Sequence, residues 1–496
     1  MAPVQLLALF SGLLTAALVG CRSGGGPVGG ADATQSAAQS AAQPLPLPPV
    51  TIASSTAEPW DPPVTGKLAP TDGVISVAAH MPMNTPTNEF MLAGLVAEAT
   101  AANPRIRRLE AEVRAARERI PQAWTPPDPM VEGSYFGVPQ LMADGEMRGT
   151  FMVSQAIPFF KQLDAREQEA IFESLVMQQE SQAARLQLTA DVEEAWYRLY
   201  LLGQLLRINE ANRQLLESLV EVAASRVQVG ETTAGDVVLG TLELSRVEEE
   251  RIMLQQQRAS RMALLNQLLA RPADGELPMP EVLPLAPPAA SLDELRSVLL
   301  RNQPEIVAAR LRTEAAAWGI QVARLERVPE VTLLYEHMFM KMNPGEHGSD
   351  PWRVGAGMNV PLWRGKYAAM EREARHRRVA ARQGVDEAMR EYDAMLVDWL
   401  EQARAAQRTA RLYRDTILPQ SRQALQSDQR AYSQGAVAFE RVVSDAQNLL
   451  TAESALHRAM TDEAIAMARL KQAVGGALPL PPAELIVPRP ISVSPE

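Results

Sequence analysis

The 496-residue sequence predicts a mainly α-helical chain with a small β-barrel portion, built from duplicated long coiled-coil hairpins plus four strands. Three observations support this prediction. Residues 161–229 contain no proline and one glycine, which allows a continuous helix of roughly 100 Å at about 1.5 Å per residue. Several sequence landmarks recur in the same order in the second half of the chain. Four short segments alternate small and large side chains, as strands do.

The recurring landmarks indicate an internal duplication. Asn103-Pro104 in the first copy corresponds to Gln303-Pro304 in the second. In the same way, Pro158 corresponds to Pro361, and Gly230 corresponds to Gly435. Their order and nearly constant spacing are hard to obtain by chance. Each copy is expected to run as helix, two strands, long helix, tip and return helix.

Composition places segments without a core at both ends of the duplicated region. We expect a signal peptide at 1–20, a lipid-anchored flexible tether at 21–88, a first hairpin repeat at 89–270, a Pro-rich linker at 271–290, a second repeat at 291–476 and a Pro-rich tail at 477–496. The tether is rich in Gly, Ala, Ser, Gln and Pro, which cannot bury a core. Ser291 and Glu294 predict a capping box that restarts a helix after the linker.

The long helices are expected to pair as coiled coils. The predicted seam of the first copy, with four-three spacing, is Leu188, Val192, Ala195, Leu199, Leu202 and Leu206. In the second copy it is Val442, Ala446, Leu449, Leu456, Met460, Met467, Leu470 and Val474. Pro419 predicts a bend or break in the second long helix, about Arg364–Gln434. Gly230 and Gly435 mark the tips where the helices reverse, and each tip carries an Arg four or five residues before its glycine.

The four candidate strands lie at the other end of each copy, within 128–140, 147–159, 329–341 and 352–363. About nine to eleven residues is the length of a tilted strand that crosses a bilayer. Four strands cannot close a barrel, and an open edge is untenable in lipid. Several chains must therefore contribute to one barrel; two would give eight strands and three would give twelve.

Methionine and histidine recur in two stretches, HMPM at 80–83 and EHMFMKM at 336–342. Thioether and imidazole groups suit Cu(I) or Ag(I). Met338, Met340 and Met342 alternate along one strand and therefore share a face. We expect this face to be the apolar exterior of the barrel and assign no metal site to either stretch.

These features together resemble the TolC-type outer-membrane efflux channels, and within them the lipoprotein members that serve heavy-metal and drug pumps. The resemblance covers about residues 88–476. Its most specific parts are the tip motifs, Val229-Gly230 followed by Asp236-Val237, and Tyr432 three residues before Gly435. The ending Leu18-Val19-Gly20-Cys21 resembles a bacterial lipobox. The resemblance implies a homotrimer whose twelve strands form a barrel and whose helices form a periplasmic tunnel, opened when an adaptor and an inner-membrane pump dock.

The resemblance also implies site residues. Cys21 is expected to be lipidated, and Arg22 after it favours the outer membrane. The candidate adaptor-docking residues at the tips are Val229, Gly230, Gln434 and Gly435. The candidate gate residues are Tyr432, Asp236, Glu440, Arg441 and Asp445. Tyr432 is expected to face the tunnel axis near its narrowest point. The family's acidic ring after the second tip is altered, because Glu440, Arg441 and Ser444 occupy the corresponding places.

The function expected is a passive exit duct that carries drugs or metal ions from the periplasm to the outside. The alternatives are a non-transporting coiled-coil scaffold anchored by its lipid, or an adaptor, although an adaptor would carry one hairpin flanked by β-rich modules. No catalytic constellation or phosphate loop is present in the sequence, so neither an enzyme nor a cofactor is expected. The net charge of −11 argues against a nucleic-acid partner.

Overall fold

The structure, a computed structural model, describes residues 87–142, 145–284, 290–342 and 350–476. The predicted signal peptide, nearly all of the predicted tether and the C-terminal tail lie outside these residues. The same is true of Cys21 and the HMPM stretch. Within the described ranges, no helix has an apolar stretch long enough to cross a membrane.

The described chain is mainly helical, as predicted, and both halves follow one order of elements. The first half contains α1 (Thr87–Ala102), α2 (Pro104–Trp124), β1 (Met130–Met142), β2 (Gly145–Ile157), α3 (Phe160–Gln228) and α4 (Ala234–Leu268). The second half contains α5 (Leu292–Asn302), α6 (Pro304–Leu325), β3 (Val331–Met342), β4 (Trp352–Met358), α7 (Arg364–Leu412), a π-helical turn (Tyr413–Ile417), α8 (Leu418–Ser433) and α9 (Phe439–Val474).

The repeated Asn-Pro and Gln-Pro landmarks separate the first two helices of each half. Asn103 and Gln303 have extended backbones and are followed by proline at the first helical position, where the missing N–H costs nothing. The predicted capping box is also confirmed. The Ser291 hydroxyl accepts a hydrogen bond from the Glu294 backbone N–H at 3.3 Å, and the Glu294 carboxylate accepts one from the Ser291 N–H at 2.8 Å.

Helix α3 runs for 69 residues, or about 100 Å, without interruption. Its predicted seam is buried from Leu188 to Leu202, and Leu206 is half-buried. The seam packs against the end of α4 and also against α9, so the return helix is only one of its partners. Trp196 and Tyr200 are the largest fully buried side chains at this junction.

The second long helix is interrupted where Pro419 predicts a break. The π-helical turn comes first, and α8 begins at Leu418 with Pro419 in its first turn. Proline has no N–H to donate to the carbonyl of Asp415, and its ring would collide with that carbonyl in a regular α-helix. The wider π turn removes this collision, so the chain continues as a helix with a changed hydrogen-bond pattern.

The four strands form one antiparallel sheet in the order β1-β2-β3-β4. The β2–β3 pairing joins the two halves of the chain, and a bulge lies between Met147 and Gly149. Strands β1 and β4 are the edges of the sheet in this chain.

The position of the β3 methionines corrects one expectation. The exposed apolar and aromatic side chains of β3 are Val331, Leu333, Tyr335 and Phe339. Met338 and Met340 alternate with them and lie on the opposite face, together with Glu336. Glu336 pairs there with Arg353 of β4 at 2.5 Å. The expectation that Met338 and Met340 lie on the apolar face of the sheet is therefore wrong, because the odd-numbered residues supply that face. Which face forms the exterior of a barrel stays a prediction.

Tyr200 and His457 form a buried polar contact between α3 and α9. The Tyr200 Oη lies 3.2 Å from His457 Nδ1. Burial, reinforced by the positive charge of Arg207, lowers the pKa of His457 to about 4. Because the folded-state pKa lies below the unfolded value, the neutral imidazole favours folding above pH 6.5, and this contribution is lost as the pH falls toward 4.

We therefore expect His457→Gln to flatten the dependence of stability on pH. A shift of this size corresponds to about 3 kcal/mol of unfolding free energy, lost between pH 6.5 and pH values below 4. Denaturant unfolding followed by circular dichroism at several pH values measures the difference between wild type and variant. Parallel curves for the two proteins would show that His457 is not the titrating group.

Candidate functional site

Both hairpins of the chain end in the same kind of helix-terminating turn. Gly230 has φ = 76° and Gly435 has φ = 74°, in the left-handed region that glycine adopts without strain. In the first turn the Glu231 N–H donates to the Arg226 carbonyl at 2.9 Å, and in the second the Ala436 N–H donates to the Ala431 carbonyl at 2.8 Å. These are the bonds of a Schellman motif. The glycines therefore lie where the sequence predicts the helices to reverse.

The tips of the two hairpins share one apolar core, which we call the tip cluster. Its buried members are Leu216, Leu219, Ala223 and Val247 from α3 and α4, and Leu425, Tyr432, Phe439, Val442, Val443 and Ala446 from α8 and α9. Residues from both hairpins thus hold the tips together within a single chain.

Tyr432 lies inside the tip cluster and is only 2% exposed. Its ring centroid is 5.5 Å from that of Phe439, and its hydroxyl donates to Asp236 Oδ2 at 3.4 Å. Burial, and next the charge of Asp236, raise the pKa of Tyr432, so the hydroxyl remains a donor at neutral pH. The packing between the two hairpins of this chain therefore buries the Tyr432 ring, and its expected position beside a tunnel axis stays a prediction.

Arg226 is the residue that makes the closest contacts between the tips. Its Nη1 donates to the backbone carbonyl of Tyr432 at 2.6 Å, and its guanidinium carbon lies 4.7 Å from the Tyr432 ring centroid. Its Nε also pairs with Glu231 at 3.2 Å. A charge-assisted hydrogen bond and a cation–π contact thus converge on one tyrosine. The sequence shows an arginine before each tip glycine, but it does not indicate that Arg226 contacts Tyr432 of the other hairpin.

Asp236 lies in the first turn of α4. Its Oδ2 accepts a hydrogen bond from Thr232 Oγ1 at 2.6 Å in addition to the longer one from Tyr432. The positive end of the helix dipole favours a carboxylate here. Asp236 is thus held in place by its own hairpin and meets the second hairpin through Tyr432.

The remaining gate candidates form a separate charged group on the second hairpin. Arg441 Nε pairs with Asp428 Oδ2 at 2.5 Å, and this guanidinium lowers the pKa of Asp428. Burial, together with the neighbouring Asp428 carboxyl, raises the pKa of Asp445. The buried Oδ2 of Asp445 accepts no hydrogen bond. Glu440 is exposed in the first turn of α9. Asp428 is a member of this group that the sequence did not single out.

The proposed docking residues are exposed at the turns themselves. Val229 is 68% exposed, and Gln434, Gly230 and Gly435 are also at the surface. Val238, in the first turns of α4, is exposed as well. The tips therefore present apolar side chains and glycine backbone outside the tip cluster.

Comparison with known proteins identifies the family. Residues 95–271 and 295–476 match the family described as outer membrane efflux protein. The chain belongs to this family. The two matched segments coincide with the two halves that the fold shows to share one order of elements.

Individual relatives are more distant. The chain is 25% identical over 311 residues to the pyoverdine export outer membrane protein OpmQ of Pseudomonas putida, covering 60% of this chain and 63% of OpmQ. It is 28% identical over 207 residues to the fusaric acid resistance protein FusA of Burkholderia cepacia, covering 38% and 36%. The matches thus span less than two thirds of either relative. Among solved structures, the outer membrane protein VceC of Vibrio cholerae has the same fold, with a TM-score of 0.67, 21% identity and coverage of 78% of this chain and 96% of VceC.

We expect the two tip glycines to respond unequally to alanine. Each substitution forces a left-handed backbone, at a cost of about 1–2 kcal/mol. A Cβ at Gly230 would meet nothing within 4 Å, whereas a Cβ at Gly435 would lie 3.3 Å from Arg226 Nη2. Gly435→Ala should therefore also disturb the contact between Arg226 and the Tyr432 carbonyl, adding about 1 kcal/mol.

Thermal unfolding of the two single variants beside wild type measures this difference. Gly230→Ala is the matched control, since it shares the backbone strain but not the close approach to Arg226. Equal destabilisation by the two substitutions would contradict a role for Arg226 at the second tip.

Proposed function

We propose that this chain is the outer-membrane exit duct of a tripartite efflux system and passes small solutes passively from the periplasm to the outside. The observation that carries this proposal is the pair of long hairpins, with a four-stranded sheet at one end and a shared tip cluster at the other. Membership of the outer membrane efflux protein family and the VceC-like fold support it. The names of OpmQ and FusA point to small organic molecules as one class of solute.

The duct is a homotrimer in this proposal. Strands β1 and β4 are edges of the sheet, and unpaired strand edges cannot remain in lipid. Edge-to-edge pairing of three sheets gives a twelve-stranded barrel, within the range of bacterial outer-membrane barrels. The exposed face with Leu333, Tyr335 and Phe339 would then contact lipid, and the face with Glu336 and Arg353 would line the lumen. A non-transporting scaffold would not need this division of the two faces.

The gate of the duct is the contact between the two tips of each chain. Arg226 and Asp236 belong to the first hairpin, and Tyr432 belongs to the second. Moving the second hairpin away from the first breaks both contacts. A periplasmic adaptor, itself bound to an inner-membrane pump, would dock at Val229, Gly230, Gln434 and Gly435 and favour the separated arrangement.

The two contacts differ in strength, and this makes the gate testable. The Tyr432–Asp236 hydrogen bond is long at 3.4 Å, whereas the Arg226–Tyr432 carbonyl bond is short at 2.6 Å. Tyr432→Phe should therefore raise single-channel conductance in planar bilayers modestly and sensitise cells to vancomycin slightly. Arg226→Gln, which removes the charge-assisted bond of about 1.5–3 kcal/mol per chain, should do both more strongly.

Tyr367→Phe is the control for this experiment, because it removes a tyrosine hydroxyl in the first turn of α7, outside the tip cluster. It should leave conductance at the wild-type level. Wild-type conductance in both Arg226→Gln and Tyr432→Phe would show that the tips do not form the gate. Absence of channels in the wild-type protein would contradict the exit duct itself.

We propose in addition that Cys21 carries a lipid that anchors the mature chain to the outer membrane. The proposal depends on the lipobox-like sequence before it, since Cys21 lies outside the described residues. Cys21→Ser should abolish incorporation of labelled palmitate. Channel function should fall only modestly, because the strands themselves would hold the protein in the membrane. Labelling of the variant equal to that of wild type would show that Cys21 is not the lipidated residue.

A further inference from the structure

The methionines of the sheet are concentrated on one of its faces. Residues directly opposite each other in the strand register share a face. By this rule the face of Glu336 carries Met130, Met142, Met147, Met152, Met338 and Met340, and we call it the methionine face. Of the strand methionines whose side chains the structure describes, Met358 alone lies on the opposite face.

A need for apolar surface does not explain this segregation. The opposite face is the more exposed and apolar one, and most of its large side chains are Val, Leu, Tyr, Phe and Trp. If the chain used methionine simply as an apolar residue, that face would contain more than Met358. The methionine face also carries Glu132, Glu336, Arg353 and the hydrogen-bonded pair Ser134–Thr150. Together with Leu334, the thioethers thus supply apolar side chains on the more polar side of the sheet.

Three of these methionines lie close together beside the β2 bulge. Met147 is directly opposite Met340 in the register, and Met338 follows two residues along β3. Directly opposite residues have Cβ atoms about 4.5–5.5 Å apart. Met147 is 6% exposed, and Met338 and Met340 are half-buried. Because methionine has three rotatable bonds before its methyl group, the three sulfurs can turn toward a common point.

The cations near this group are paired or lie on the other face. Arg148, in the bulge beside Met147, lies 3.6 Å from Glu146. The Asp350 carboxylate accepts a hydrogen bond from the Met340 N–H at 3.0 Å and adds a negative charge. Lys341 alternates with Met340 and therefore points to the other face. Arg353 is paired with Glu336 at 2.5 Å. Glu132 lies opposite Met152 on the methionine face, which adds a negative charge. In the described ranges no group of three or more His, Cys, Asp or Glu side chains could hold a metal ion. A site here would depend on sulfur donors.

We propose that Met147, Met338 and Met340 form a binding site for a soft monovalent cation, Cu(I) or Ag(I), on the lumenal face of the strands. The assignment of this face to the lumen rests on the proposed function. Thioethers select soft cations over Zn²⁺, Mg²⁺ or Ca²⁺. Because a thioether is neutral, it binds such an ion without the tight, charge-neutralising bond of a thiolate. This suits an ion in transit, which must enter the site and leave it again.

Titration of the purified full-length protein with silver nitrate in chloride-free detergent solution tests the site. Every sample carries Cys21→Ser, because any Cys21 left without its lipid would present a thiol that binds Ag(I) itself. Isothermal titration calorimetry should show an affinity for Ag(I) at least tenfold weaker in Met338→Leu/Met340→Leu and in Met147→Leu than in the parent protein. Met358→Leu is the matched control and should bind as the parent does, since leucine preserves size and apolarity in each case. Zn²⁺ should show no comparable binding.

Carbon-13 labelling of the methionine methyl groups gives an independent readout on the parent protein without relying on the folding of the variants. Ag(I) should shift the resonances of Met147, Met338 and Met340 and leave that of Met358 unchanged. Unshifted resonances, or equal Ag(I) affinity in the double variant, would overturn the site. Planar-bilayer conductance of the same samples separates the two proposals: normal channels without the silver site contradict this inference alone, whereas absent channels contradict the exit duct.

Discussion

The structure depends on the burial of one side of α3 along its length. Most of the stability of a helix in a protein comes from the packing of one face rather than from its own hydrogen bonds, so the packing of this 69-residue helix decides its position. Trp196 and Tyr200 bury against the neighbouring helices, and Arg469 of α9 pairs with Asp191 at 2.8 Å and with Glu194 at 2.6 Å. Helix α3 begins beside the sheet and ends at the first tip. The packing of α3 therefore fixes the position of the tip relative to the sheet.

The two hairpins are unequal despite their duplication. The long helix of the first hairpin is continuous, whereas that of the second is divided by the π-helical turn before Pro419. A turn with altered hydrogen bonding is a place where a helix can change direction at low cost. For the proposed gate, we infer that the second hairpin moves at its tip, while α7, on the sheet side of the π-helical turn, stays packed. Tyr432, which contacts the first hairpin, lies on α8, on the tip side of this turn.

Features fixed by local chemistry could be predicted from the sequence, and features fixed by packing between segments could not. Gly230, Gly435, Pro419 and the Ser291 cap act through their own backbones, so their roles follow from residue type. The direction of Tyr432 depends on Arg226, which is 206 positions away in the chain. The alternation of the β3 methionines predicts that they share one face of the sheet. Whether this is the apolar or the polar face depends on the exposure of Leu333 and its neighbours, which only the structure shows.

The energy of the closed tips follows from symmetry if three chains assemble. One charge-assisted bond from Arg226 contributes about 1.5–3 kcal/mol, so three copies contribute roughly 5–9 kcal/mol to the closed state. A partner that moves a two-state equilibrium from 1% open to 99% open must prefer the open state by about 5.5 kcal/mol, and any further stabilisation of the closed state raises this requirement by the same amount. An adaptor that binds the three pairs of tips can supply such a difference through several modest contacts. In the proposed duct, the gate would therefore remain shut without a partner and open without any chemical reaction in the duct itself.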